Sequence, residues 1–233
     1  MSPAITTLML TGMRIGELLA LQWKHVDFQA KTITIQQSLT REMTFDEGGK
    51  TQRVVDVLGA TKTRTSQRVI QTPDLVLTRL REWMRRVATL KGGLKMLVPE
   101  GFIFVSTRTM KMLTYSGFRA SYRHFLERNG FEAEGLNLHR FRHTYASMLL
   151  EQEINPKIMQ KLLGHRDVST TLGVYTHVVP EVFSGVTTAV NDASEKLLAG
   201  TYTPKMNEVQ VRDQLRQLDP LLSEDVEISV RYA

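Results

Sequence analysis

Four short segments gather residues suited to work on an anion. The first, Thr11-Gly12-Met13-Arg14-Ile15-Gly16-Glu17, sets an arginine just after a glycine, near a helix start. Backbone N–H groups at such a start also favour negative charge. Glu17 lies about one turn on, so a surface Arg14–Glu17 ion pair accounts for the same residues. The second segment, Thr61-Lys62-Thr63-Arg64-Thr65-Ser66-Gln67-Arg68, is polar and basic. A hairpin tip there can carry Lys62 into a neighbouring groove, or it is a solvated basic loop. In the third, Leu138-His139-Arg140-Phe141-Arg142, His139 and Arg142 share a helix face. They offer a proton carrier and a bidentate phosphate clamp; a capped or paired surface histidine is the plainer reading. The fourth runs from Leu162-Leu163-Gly164-His165-Arg166-Asp167 to Val174-Tyr175-Thr176-His177. Taken alone, Tyr175 is a packing residue with a wet hydroxyl.

The elements that must position these groups follow from periodicity. Ile5 to Leu21 reads as helix with a break at Thr11-Gly12, and little sequence precedes it to pack against it. Lys31–Ile35 alternates polar and apolar, as a half-buried strand does. Arg53–Val57 and Gln67–Ile70 read as two more strands, joined through a tight turn at Lys62–Ser66. These three segments are expected to form one small antiparallel sheet. The loop Glu47-Gly48-Gly49-Lys50 is expected to move. Pro73 opens a helix carrying Leu75, Leu77, Leu80 and Trp83 that stops at Lys91-Gly92-Gly93. Phe102–Val105 is a short apolar run, read as a strand or buried segment. Further helices are expected over Thr114–Asn129 with Gly130 as cap, His139–Gln152, Asn155 to Gly164, Ser169–His177 and Pro180–Leu198. The fold class is α+β, mainly helical, with a small three-stranded antiparallel sheet. Residues 1–200 form one domain, and 201–233 are a loosely held polar extension.

Composition narrows the partners. The 233 residues are 42% hydrophobic and 23% charged, as in a globular domain. Net charge is +6, and the residues from Thr201 carry four Lys/Arg against six Asp/Glu, which leaves +8 on the first two hundred. The positive field therefore belongs to the body of the chain and suggests a polyanion. With no cysteine, disulfides, Cys-based zinc sites and a cysteine nucleophile are excluded. No run is apolar enough for a transmembrane helix, and the first residues lack a signal-peptide layout. No carboxylate stands at metal-ligand spacing beside His139.

In order and local wording the four segments closely resemble the tyrosine recombinases, the phage and transposon integrase family. "TGMRIGELLAL" resembles the first arginine box, "LHRFRHTYAS" the His-x-x-Arg box, and "LLGHRDVSTTLGVYTHV" the segment that ends in the nucleophile. "TKTRTSQRVI" is similar to the hairpin lysine segment of integrative-element integrases. The resemblance spans about Ile5 to Leu198. It implies that Tyr175 is the nucleophile, that Arg14 and Arg142 grip the scissile phosphate, and that His139 exchanges a proton with the tyrosine. It further implies that Lys62 protonates the leaving 5′-hydroxyl, that His165 hydrogen-bonds the phosphate, and that Glu17 orients the first box. Arg64, Arg68, Arg140 and Arg166 are expected to contact the DNA backbone.

The chemistry implied is cleavage and rejoining of DNA through a 3′-phosphotyrosine bond, without metal or cofactor, for integration and excision of a mobile element. The implied partner is double-stranded DNA at a recombination site. A homo-oligomer exchanging its C-terminal helix and accessory DNA-bending proteins are also implied, in the bacterial cytoplasm and on the nucleoid when acting. Family members carry a DNA-clamping domain, and often an arm-binding domain, ahead of this one. By the resemblance, neither is expected within these residues, nor are the first helices of the catalytic domain. A catalytically silent DNA-binding fragment and a type IB topoisomerase-like strand transferase are the competing readings. The wording around Arg14 and His165 favours a recombinase over a topoisomerase.

Overall fold

The structure, a computed structural model, describes residues 2–45, 52–60, 67–131, 138–152, 154–163 and 179–201. Helix α1 (Ser2–Thr11) packs one face into the core, with Ala4, Leu8 and Leu10 buried. It can be buried because its polar groups are satisfied locally. The Thr7 hydroxyl donates to the Pro3 carbonyl (2.8 Å) and the Thr11 hydroxyl to the Thr7 carbonyl (2.6 Å). Helices α3 (Asp74–Ala88) and α5 (Arg140–Glu151), from later in the chain, pack on it. The break expected at Thr11-Gly12 is there: Gly12 has φ +60, and α2 (Ile15–Leu19) starts three residues on.

Strands β1 (Val26–Asp27), β2 (Thr32–Ile35) and β5 (Arg68–Gln71) form the three-stranded antiparallel sheet in the order β1-β2-β5. Its register sets Val26 opposite Ile33 and Ile33 opposite Ile70, and all three are buried. That row is the core face of the sheet, as the alternation in Thr32-Ile33-Thr34-Ile35 requires. One member differs from expectation. The Arg53–Val57 segment belongs to β4 (Gln52–Ala60), which pairs with β3 (Gln37–Phe45) in a separate two-stranded sheet. Strand β3 reads poorly because Arg41 interrupts the alternation of Leu39, Met43 and Phe45 with polar neighbours.

At the base of this second sheet Leu39 is buried in the core. Farther out, Met43, Val54, Val55 and Leu58 are exposed. Its middle is tied to α4 (Tyr115–Arg128): Asp56 Oδ2 accepts from the Tyr115 N–H (3.0 Å), and the Arg41 guanidinium lies 4.0 Å from the Tyr115 ring centroid.

Helix α3 buries Val76, Leu77, Leu80 and Val87; each such side chain contributes about 1.5–3 kcal/mol on leaving water. The Phe102–Val105 run is a buried segment. Phe102 bridges to Gln22, Val105 bridges to Met112, and the Ile103 carbonyl accepts from Trp83 Nε1 (2.6 Å). Thr114 caps α4 by accepting from the Gly117 N–H (3.0 Å), and Gly130 beyond its end has φ +75. Helix α6 covers Pro156–Leu163 and α7 covers Val179–Leu198. Helix α7 lies against α5, α3 and β5 of its own chain through Val186, Val190 and Ala193. Among the described residues no helix is long and apolar enough to cross a membrane.

Candidate active site

The first arginine box is shaped by two glycines. Gly12 turns the chain out of α1, and a Cβ on it would lie 2.3 Å from Cδ1 of Tyr145. Gly16 brings α2 against β3, where a Cβ would lie 2.2 Å from the Leu39 carbonyl oxygen. Between them Arg14 occupies the N-cap of α2 with its side chain 39% exposed. Glu17 is buried at 2% and reaches back to the cap, accepting the Arg14 backbone N–H at 2.8 Å and Arg14 Nη1 at 3.2 Å. The pair foreseen on the surface is therefore half inside, with the carboxylate in the core and the guanidinium reaching outward.

Glu17 meets a second arginine. Arg68 at the start of β5 donates Nη1 to Glu17 Oε1 (3.0 Å) and Nη2 to Oε2 (2.8 Å), a bidentate pair. Its Nε donates to the Leu162 carbonyl near the end of α6 (2.9 Å). Burial pushes the Glu17 carboxyl up, but the hydrogen bonds and charge of Arg68, aided by Arg14, outweigh that and hold it below the usual range.

Arg142, on α5, is buried. Its Nη1 donates to the Gly12 carbonyl (2.8 Å) and its Nη2 to the Leu163 carbonyl. His139 is the N-cap of α5, and its carbonyl accepts the Arg142 N–H (3.0 Å). The structure thus brings together Arg14, Glu17, Arg68, Arg142 and the last turn of α6. His165 follows that turn by two residues in sequence.

One expected residue has another placement. Arg68, expected on the DNA backbone, is 6% exposed and bonded inward. Strand alternation explains this, since Arg68 shares a face with buried Ile70 while Val69 points out. Arg140 is half-buried at the start of α5; burial pushes the Tyr122 hydroxyl up, and the positive charge of Arg140 works against that. Lys62, Arg64, His165, Arg166 and Tyr175 lie outside the described residues, as do the Lys62–Ser66 turn, the Glu47–Lys50 loop and the Ser169–His177 helix. The strands flanking Lys62, β4 and β5, belong to different sheets and do not form a mutual hairpin.

Tyr145 escaped the sequence reading. It is fully buried against Gly12, and burial pushes its hydroxyl far up despite the charges of Arg68 and Arg142. The signal available was its spacing: three residues after Arg142, it faces the same side of α5.

The arrangement presents a half-exposed guanidinium on a buried carboxylate, next to a second guanidinium fixed to the adjoining backbone. Planar donors that stay protonated suit a phosphodiester, whose negative charge grows and shifts when a nucleophile attacks.

Comparison with known proteins agrees. The model of the phage integrase family matches residues 2–181. A tyrosine recombinase XerC-like protein of Caldanaerobacter subterraneus is 32% identical over 78% of this chain and 46% of its own length. An integrase of a Staphylococcus phage is 36% identical over 77% of this chain and 48% of its own. The chain spans about half the length of these curated relatives. Among solved structures, the Tn1549 transposon integrase in complex with a circular intermediate DNA superposes with a TM-score of 0.56 at 19% identity, covering 93% of this chain and 58% of that one. This likeness concerns the fold: a mainly helical domain with a small antiparallel sheet. By the family match over most of its length, with both arginine boxes in contact in the structure, the chain belongs to the phage integrase family of tyrosine recombinases.

Proposed function

We propose that this chain is the catalytic part of a site-specific recombinase that cuts and rejoins DNA through a bond between Tyr175 and the 3′-phosphate. The observation that carries the reading is the contact between the boxes. Arg142 bonds the Gly12 carbonyl, two residues from Arg14, and the Leu163 carbonyl at the head of the segment leading to Tyr175. Two arginines distant in sequence are thereby joined beside the point where the nucleophile's segment begins.

In this reading the Tyr175 hydroxyl oxygen attacks phosphorus and the bond to the 5′-oxygen breaks. His139 takes the phenol proton, and Lys62 gives a proton to the departing 5′-oxygen. A tyrosine titrates near 10, so both the base and the cationic field are needed. Arg14 and Arg142 hold the non-bridging oxygens, and removing such a donor costs about 3–4 kcal/mol, or roughly 10²–10³ in rate. His165 adds a hydrogen bond to the phosphate. The phosphotyrosine keeps the energy of the phosphodiester, so attack by a 5′-hydroxyl reseals the strand without ATP. No cofactor enters any step.

The reading assigns catalysis to residues 1–200 and gives 201–233 no catalytic part. Arg64, Arg140 and Arg166 serve the DNA backbone. Several copies assemble on a double-stranded site in the bacterial cytoplasm, aided by DNA-bending proteins, to move a mobile element. Helix α7, packed in cis through Val186, Val190 and Ala193, offers the same face to a neighbour if it is exchanged.

The test is capture from a library of randomised duplexes nicked at each position, so that the cut end diffuses away. The reading expects protein–DNA adducts that survive SDS. Tight DNA binding with no adduct would instead make the chain a silent DNA-binding module.

A further inference from the structure

The bonds of Arg68 reach two parts of the site at once, Glu17 and α6. It neutralises Glu17, which holds both the backbone and the guanidinium of Arg14. Through Nε it also holds the Leu162 carbonyl, next to the Leu163 carbonyl that Arg142 holds. These two neighbouring carbonyls belong to Leu162 and Leu163 of α6. Arg68 and Arg142 therefore hold adjacent carbonyls of α6 side by side. The chain continues from Leu163 toward His165 and Tyr175.

We propose that Arg68 is a positioning residue: through Glu17 it sets Arg14, and through Leu162 it seats the end of α6 from which the nucleophile's segment departs. This rests on the strand-transfer reading above. It replaces a DNA-backbone role for Arg68 with an inward one. The side chain is 6% exposed and bidentate to a carboxylate that is 2% exposed, so reaching a phosphate would require breaking a buried ion pair. Lysine is a poor substitute, because a single ammonium cannot serve both carboxylate oxygens and the Leu162 carbonyl with the same planar geometry.

The experiment compares wild type, Arg68→Gln, Arg68→Lys and the double variant Glu17→Gln/Arg68→Met, which replaces the charged pair with a neutral one. Three quantities are read: amide exchange in peptides covering 12–17 and 157–163, DNA affinity against salt, and adduct rate at saturating DNA. For Arg68→Gln the proposal expects faster exchange confined to those two regions and affinity and salt slope unchanged. It expects an adduct rate down about 10²-fold, the size typical of a slightly misplaced catalytic group. Arg68→Lys should fall between. If Arg68→Gln does not fold, the double variant decides: folded but slow supports the proposal, and folded with wild-type rate overturns it. A salt slope shallower by about 0.9, the loss of one phosphate contact, with exchange unchanged would also overturn it. So would faster exchange spread evenly over the core. Should even wild type form no adduct, the strand-transfer reading fails, while the exchange data still decide whether Arg68 seats α6 and the arginine box.

Discussion

Four glycine-to-alanine substitutions separate backbone strain from steric clash at the arginine box. Gly12 has both problems: φ +60, and a Cβ that would sit 2.3 Å from the Tyr145 ring. Gly16 has the clash alone, at 2.2 Å from the Leu39 carbonyl oxygen. Gly130 has the strain alone, with φ +75 and open space around it, and Gly59 has neither. A left-handed residue with a Cβ costs about 1–2 kcal/mol, and overpacking costs about 1–3 kcal/mol. Gly12→Ala should therefore lose about 2–5 kcal/mol, the sum of both. Gly130→Ala should lose about 1–2 kcal/mol. Gly16→Ala should lose up to about 3 kcal/mol, less a few tenths to 1 kcal/mol recovered from better helix propensity. Gly59→Ala should be neutral or gain up to about 1 kcal/mol by stiffening the unfolded chain. Urea unfolding with a shared slope gives all four values. In a Tyr145→Leu background the loss from Gly12→Ala should shrink, because the ring it strikes is gone. If Gly12→Ala costs no more than Gly130→Ala, and Tyr145→Leu changes nothing, Tyr145 does not lie against Gly12 and the reasoning is refuted.

Glu17→Gln leaves Arg68 buried without its counter-charge and should cost about 3–5 kcal/mol at neutral pH. Because the folded-state pKa of Glu17 is lowered, its contribution is present above the unfolded value of about 4.3 and fades as pH falls through the folded value. The gap between wild type and variant in urea unfolding should narrow in acid; a constant gap down to pH 3 contradicts the lowered pKa. Lys62→Ala should abolish cleavage of an ordinary strand yet recover on a 5′-thio leaving group, which needs no acid; failure to recover removes the general-acid role. DNA affinity should fall steeply and linearly on a log–log plot against salt, whereas a flat line would contradict backbone-dominated binding.

The local order of the site was legible because it depends on residues close in sequence. The Thr11-Gly12 break, the Arg14–Glu17 pairing and the start of α5 at His139 follow from turn chemistry and helical spacing. What depended on distant partners was not legible. Nothing in Arg53-Val54-Val55-Asp56-Val57 says that β4 pairs with Gln37–Phe45 instead of joining β2. The burial of Arg68 needed Glu17, 51 residues away. Its alternation with Val69 and Ile70 was available, but a run of basic residues read more readily as a solvated face. Tyr145 was hidden for a related reason: its value lies in filling the space that Gly12 leaves. The two surprises complete one design, since Arg68 and Tyr145 both fix the segment that carries Arg14.

The claim at the centre of this account is that Tyr175 carries the DNA. The direct measurement is to digest the SDS-resistant adduct with trypsin and nuclease, then sequence the modified peptide by mass spectrometry. The account predicts a nucleotide 3′-phosphate on Tyr175 and no adduct from Tyr175→Phe. A nucleotide on any other residue, or an adduct that persists in Tyr175→Phe, would contradict it.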